Sequence, residues 1–185
     1  MGKVIGGMTM SLDGFINDRN GSVEHLYPDL DELRKTEILQ DAIKNTGAVV
    51  MGRHAYEMGD PDSYAENYEF QVPIFVLTHH VPEKLPKQTE KLTFTFVTDG
   101  IESAIAKAKA TAGDKDVQVV GGASTFQQCI NAGLCDEIQI GIMPVLFGRG
   151  LRLFENIDTE RIKMEKVKVI DSTPGRTDII FYVVK

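Results

Sequence analysis

Three short apolar runs constrain this chain more than anything else in it: Ala48-Val49-Val50-Met51, PIFVLT at 73–78, and Val117-Gln118-Val119-Val120. A strand with one face in water alternates apolar and polar residues, whereas an almost unbroken apolar run suits a strand covered on both faces. Stretches with helical spacing separate these runs. Alternation of buried strands with helices implies a largely parallel sheet with helices on its faces. The full pattern predicts eight strands, at 3–11, 48–51, 73–78, 94–97, 117–120, 136–146, 162–170 and 178–184. Helices are expected at 29–45, 54–58, 101–112 and from about 124 to 132. Pro28 suits a helix start, Asp29, Asp31 and Glu32 followed by Lys44 suit the helix dipole, and Gly47 is expected to end the first helix. The closing strands are joined by a turn at Thr173-Pro174-Gly175 and should pair antiparallel.

The 185 residues carry 20 Lys plus Arg against 27 Asp plus Glu, a formal charge of −7. That balance opposes non-specific nucleic-acid binding, which needs a basic surface to displace counterions. No apolar run approaches the roughly 18–20 residues of a membrane span. The opening MGKVIGGMTMSLDG has neither the apolar core nor the cleavage site of a secretory signal, so a cytoplasmic setting is expected. No repeat and no Pro/Gly/Ser linker divides the chain, which reads as one domain, 1–185. Cys129 and Cys135 lack CxxC spacing and read as free thiols.

Ligands of open α/β sheets bind beyond the carboxyl ends of the strands, which directs attention to the residues after 51, 78 and 120. Gly121-Gly122-Ala123-Ser124-Thr125 joins a strand to a helix start. Glycines there permit a tight turn or a close approach of backbone N–H groups to a phosphate, and Ser124 and Thr125 add hydroxyl donors. Gly52-Arg53-His54 offers a glycine, a guanidinium and an imidazole at a second strand end. Thr78-His79-His80 closes a third. Adjacent His residues on an extended chain point to opposite sides, and no further ligand completes a shell, so no metal is expected. Three anion-compatible strand ends together fit one extended, multiply charged ligand such as a dinucleotide. The motifs GxGxxG, GxxxxGK[ST] and GxSxG are absent.

MTMSLDGFI (8–16), VVMGRHAYE (49–57), PIFVLTHH (73–80) and VQVVGGASTFQQ (117–128) resemble, in that order, the dihydrofolate reductase superfamily. DEIQIGIMPVLFGRGLRLFE (136–155) resembles its riboflavin-biosynthesis reductase branch, in particular the small stand-alone bacterial proteins of that branch. The resemblance implies a three-layer α/β/α fold with a mostly parallel eight-stranded sheet and antiparallel C-terminal strands, and NADPH as hydride donor. It implies that Thr9 and Ile16 line the nicotinamide, that Gly52, Arg53 and His54 meet the phosphates, and that Thr78, His79 and His80 lie near the adenosine and its 2′-phosphate. Gly121, Gly122, Ala123, Ser124 and Thr125 would hold the pyrophosphate, with Phe126 beside the cofactor.

The substrate side departs from the folate-reductase pattern, since the chain has no Trp. The first helix offers Asp29, Asp31, Glu32 and Glu37; a buried one with a raised pKa could protonate the substrate as hydride arrives. Asp31 and Glu32 are the expected catalytic acids, with His25 and Tyr27 as alternatives. The function so read is an NADPH-dependent reductase of a small heterocyclic or carbonyl/imine substrate, similar to 5-amino-6-(5-phosphoribosylamino)uracil reductase or dihydrofolate reductase. The alternative is a non-catalytic nucleotide- or ligand-binding protein on the same scaffold. The loop 13–27 is the expected lid, and the closing strands with the apolar stretch 142–154 are the expected surface of a homodimer.

Overall fold

A computed structural model describes residues 2–185. Its strands are β1 (Val4–Ser11), β2 (Thr46–Gly52), β3 (Ile74–Leu77), β4 (Phe94–Val97), β5 (Asp116–Val119), β6 (Glu137–Met143), β7 (Lys163–Thr173) and β8 (Arg176–Val184). They form one sheet in the order β4-β3-β2-β5-β1-β6-β8-β7. The pairs from β4 to β6 are parallel, and β8 runs antiparallel to both β6 and β7. The eight strands expected from the sequence are present, with ends moved by one to three residues.

The helices are α1 (Leu30–Leu33), α2 (Glu37–Asn45), α3 (Arg53–Tyr56), α4 (Tyr64–Asn67), α5 (Ile101–Ala112) and α6 (Ala123–Asn131). The pleat explains why β2 reads as apolar throughout. Ala48 and Val50 pack with Ile101, Ala104, Ile105 and Ala108 of α5 and with Phe126 of α6. Val49 and Met51 face the other way, onto Tyr56, Phe70 and Leu92. Each such aliphatic side chain contributes about 1.5–3 kcal/mol by leaving water. Both faces being covered, no polar alternation survives in the sequence. Cys129 and Cys135 are buried and unbridged. Among the described residues no helix is long and apolar enough to cross a membrane.

Two expectations about the first helix are corrected. The span 29–45 is broken into α1 and α2 at Thr36, whose backbone is extended at ψ 147°. Its hydroxyl donates to the Leu33 carbonyl at 2.7 Å and accepts from the Leu39 N–H at 3.4 Å, so one threonine ends the first turn and caps the next helix. Gly47 lies inside β2 and does not cap the helix. A Cβ there would sit 2.8 Å from Lys115 Cβ and 2.9 Å from Ala112 Cα; the glycine lets the end of α5 close on the sheet.

The antiparallel reversal of β8 decides where the site's charges lie. The parallel strands end at one edge of the sheet, and β8 begins there, with Thr177 opposite Ile142 and Asp178 opposite Gly141. Thr9 of β1 is the other neighbour of Gly141. The first residues of the last strand therefore stand beside the carboxyl end of the first.

Candidate functional site

Three strand ends carry a groove made mostly of backbone. Leu77 of β3 pairs with Gly52 of β2, and the Gly52 N–H donates to the Gly121 carbonyl just beyond β5 at 2.6 Å. A Cβ on Gly52 would lie 2.4 Å from Thr125 Oγ1 and 3.4 Å from the Gly122 nitrogen, so glycine alone permits this approach. Gly121 has φ 131°, in the region glycine tolerates, and precedes a cis peptide. Nothing lies within 4 Å of where a Gly122 side chain would begin, leaving that backbone open at the start of α6.

Around this groove Arg53, His54, His79, His80 and Ser124 are exposed, while Thr78, Ala123 and Thr125 are buried. The Thr78 hydroxyl donates to the His80 carbonyl at 2.9 Å and turns the chain after β3. Because β3, β2 and β5 are consecutive in the sheet, residues 52–54, 78–80 and 121–125 share one edge. Phe126, expected beside the cofactor, is wholly buried. A Cβ on Gly6 would come within 2.4 Å of its ring, and the Phe154 ring lies edge-on at 5.9 Å; its place is in the packing beneath the groove.

The motifs SLDGFI and PVLFGRG clasp each other. Asp13 accepts from the Ser11 hydroxyl at 2.6 Å and from the N–H groups of Phe147 and Gly148 at 3.1 and 2.7 Å. The Ser11 hydroxyl bond, followed by those of Gly148 and Phe147, lowers the Asp13 carboxyl to about 2. The Ile16 N–H donates to the Leu151 carbonyl at 2.9 Å, and the Leu151 N–H donates to Asn17 Oδ1 at 2.8 Å. Gly150, at φ 148°, passes where a Cβ would be 2.0 Å from the Asn17 carbonyl oxygen. The first part of the expected lid, 13–17, is thus pinned to residues 147–151, and Ile16 is held buried beside the end of β1.

Next to this edge, spanning β2, β5, β1, β6 and the start of β8, opens a cleft of about 630 Å³. Tyr27, Leu30, Leu33, Met51, Tyr64, Tyr68 and Phe70 line it, with Thr9, Gln118, Gly141, Arg176 and Asp178 among its polar or open positions. Burial pushes the Tyr64 hydroxyl up to about 12, so it stays protonated and donates to the Ala55 carbonyl at 3.2 Å.

Arg176 is 2% exposed. Its Nε and Nη2 donate to the two carboxylate oxygens of Asp29, each at 3.0 Å. Nη1 donates to Thr9 Oγ1 at 2.8 Å, and Nη2 also reaches the Leu26 carbonyl at 3.0 Å. The Thr173 hydroxyl adds a bond to Asp29 at 2.6 Å. The Arg176 bonds hold the Asp29 carboxyl below the usual carboxylate range. Asp178 is displaced the other way: burial raises it, against the opposing effects of the Ser172 hydroxyl bond and the Arg176 charge. Gly141 makes the cluster possible, since a Cβ there would meet Arg176 Nη1 at 2.6 Å and Asp178 Oδ1 at 2.9 Å.

Asp31 and Glu32, the acids expected to be catalytic, are exposed on the outer side of α1. Asp31 stands 3.5 Å from Arg34, and neither lines the cleft. A four-residue helix presents one side inward, and that side carries Leu30 and Leu33. Asp29, just before α1, is the carboxylate bonded to the Arg176 guanidinium, and Asp178, at the far end of the sequence, stands near enough to feel its charge. The available sign was Arg176-Thr177-Asp178 just after a tight turn: in a strand, i and i+2 share a face, and two charges on one face beside a core strand must be paired.

Residues 2–177 match the family model of the RibD C-terminal domain. The Bacillus subtilis protein YyaP, itself uncharacterized, is 27% identical over 184 residues, covering 97% of this chain and 94% of YyaP. A Thermotoga maritima diaminohydroxyphosphoribosylaminopyrimidine deaminase/5-amino-6-(5-phosphoribosylamino)uracil reductase superposes with TM-score 0.72 at 16% identity, over 99% of this chain and 57% of that longer one. An Enterococcus faecalis dihydrofolate reductase complexed with NADP(H) superposes with TM-score 0.65 at 19% identity, over 99% and 97% of the two chains.

Proposed function

The chain belongs to the RibD C-terminal domain family, and from that membership we propose that it is an NADPH-dependent reductase of a small heterocyclic or carbonyl/imine substrate, riboflavin-precursor-like or pterin-like. The observation that carries the reading is the junction of two differently built spaces at the end of β1. The glycine-walled edge of β3, β2 and β5 runs into the cleft floored by Thr9 and Asp178, whose lining includes Met51, Ala55 and Val120 beside the glycines.

The residues suit the cofactor. Gly52, Gly121 and Gly122 keep a path free of side chains, which an elongated pyrophosphate requires, and Ser124 and Thr125 place hydroxyls at the start of α6. Exposed Arg53, His54, His79 and His80 are suited to phosphate oxygens, with Arg53 able to bind two at once. Thr9 and Ile16, both buried, would border the nicotinamide. When bound, NADPH supplies the hydride that adds to an electrophilic substrate carbon. The atom bonded to that carbon gains electron density and takes a proton. Asp178 replaces Asp31 and Glu32 in that role, because its buried carboxyl is biased toward the protonated form and it lines the cleft. A proton from solvent then restores it. Arg176, held by Asp29, keeps Thr9 in register and lends its charge to Asp178.

The proposal includes a cytoplasmic setting and a homodimer formed through the exposed closing strands, where Met164, Val167 and Val169 of β7 stand in solvent. Sedimentation at micromolar concentration should give twice the chain mass. The decisive experiment titrates NADPH into the protein and follows thermal stability and oxidation at 340 nm with pterins, flavin precursors and quinones. Binding with turnover is expected. Binding without turnover of any acceptor would favour a non-catalytic role, and no binding at millimolar cofactor would remove the reading. Arg53→Ala should weaken NADPH more than NADH if the guanidinium holds the 2′-phosphate.

A further inference from the structure

Taking the cleft as the substrate site of the proposed reductase, we infer that the substrate carries no phosphate: it is a neutral or cationic, amphipathic nitrogen heterocycle. Its N–H-bearing edge would meet Asp178, and its apolar body would lie among the cleft's tyrosines. A phosphate ester needs unspent positive charge or free N–H donors, and the cleft provides little of either.

Arg176 is the only cation among the described residues lining the cleft. Its guanidinium is consumed by Asp29, Thr9 and the Leu26 carbonyl and is almost sealed from solvent. The other charged lining residues, Glu24, Glu69 and Asp178, are acids. Glu69 is paired at 3.0 Å with Arg34, which lies outside the lining. A dianion entering here would lose hydration and meet net negative charge.

A longer substrate would fare no better by reaching past Gln118 and Gln139. Beyond Gln118 and Gln139 lies a second depression of about 440 Å³. There Lys3 is already bonded to Glu137 at 2.9 Å, and Lys168 stands among four further carboxylates, Glu37, Asp41, Asp116 and Asp171. Any tail entering it would be favoured if cationic and disfavoured if phosphorylated.

What remains for recognition is an acceptor edge and aromatic walls. Asp178 keeps Oδ1 beside Gly141, while its other oxygen takes the Ser172 hydroxyl. An amidine-like N–H pair suits such a carboxyl whichever partner holds the proton. The walls, including Tyr27, Tyr64, Tyr68 and Phe70, offer apolar and ring surface.

The test compares 2,4-diamino-5-benzylpyrimidine with the same molecule bearing a phosphonomethyl group on its phenyl ring, each titrated calorimetrically with and without NADPH. The uncharged-tail compound is expected to bind at least about tenfold more tightly, with the gap narrowing as salt is raised. Asp178→Asn should weaken it by about tenfold while leaving the phosphonate little changed. Equal or tighter binding of the phosphonate would overturn the inference, as would failure of both compounds to bind. Because both titrations are read without cofactor, absence of NADPH binding would remove the reductase reading and leave this selectivity standing or falling by itself.

Discussion

The glycine-built edge and the cleft floor meet at β1, yet they are made of opposite materials. The edge is backbone: Gly52 touching Gly121, an open Gly122, and side chains only at the rim. The floor is buried charge: Asp29, Arg176 and Asp178, from segments nearly 150 residues apart. A backbone-made surface tolerates variation in what surrounds it but none in the glycines themselves. Within that floor the Asp29–Arg176 pair stands or falls as a unit, because each is costly in the apolar interior without the other.

The largest effect should therefore follow from breaking the floor. Arg176→Ala leaves the Asp29 carboxylate buried without its counter-charge and is expected to cost about 3–5 kcal/mol, read from the denaturation midpoint. The paired replacement Asp29→Leu with Arg176→Met removes both charges and should recover at least half of that loss, while abolishing turnover because Thr9 loses its anchor and Asp178 its neighbouring charge. A single variant as stable as the parent would show that the pair is not a structural unit. Acid titration gives the same answer with its sign fixed. Asp29 has a lowered carboxyl pKa, so its contribution is complete above the ordinary carboxylate value and is lost as pH falls through the lowered one.

Asp178 separates the floor's chemistry from its stability. Its folded pKa is raised, so it favours the fold when protonated and weakens it as pH rises through that value. Asp178→Asn keeps the size and removes the buried negative charge. Stability at pH 8 should be unchanged or higher, while turnover falls by about 10²–10⁴-fold, the usual worth of a positioned acid. In the parent, turnover should decline as pH rises through the same ionisation, and the residual rate of the variant should lack that limb. A variant that turns over normally would return the proton to water or to another group.

The same contrast explains what could be read from the residues. The strand order along the chain and the residues after 51, 78 and 120 were legible because parallel strands covered on both faces leave unbroken apolar runs, and a glycine-built edge leaves glycines at fixed places. Asp13 and Asn17 are equally local in sequence, but their partners at 147–151 are not, so the clasp that holds the start of the loop 13–27 left no local sign. Thr36 split a helix that composition alone would have continued. The acids were the hardest: Asp31 and Glu32 look like Asp29 in sequence, and only the position of Arg176 on a returning strand distinguishes the one that is paired from the two that face water.

The smallest expected effect tests whether the two regions are separable. Gly52→Ala introduces a methyl 2.4 Å from Thr125 Oγ1. Thr125 is buried at 4% exposure, so its hydroxyl has little room to swing aside. The start of α6 must move outward from β2, at a cost of about 1 kcal/mol for overpacking. That shift spreads Gly52 from Gly122 and should weaken NADPH about tenfold, within the range a displacement below 1 Å can produce. The floor is not touched by it. Arg176 and Asp178 rest on Gly141 and β1, on the opposite side of β5 from Gly52, so the benzylpyrimidine affinity measured without cofactor should be unchanged. Equal loss at both sites would mean that α6 and the cleft move together, and that the edge and the floor are one site mechanically as well as in function.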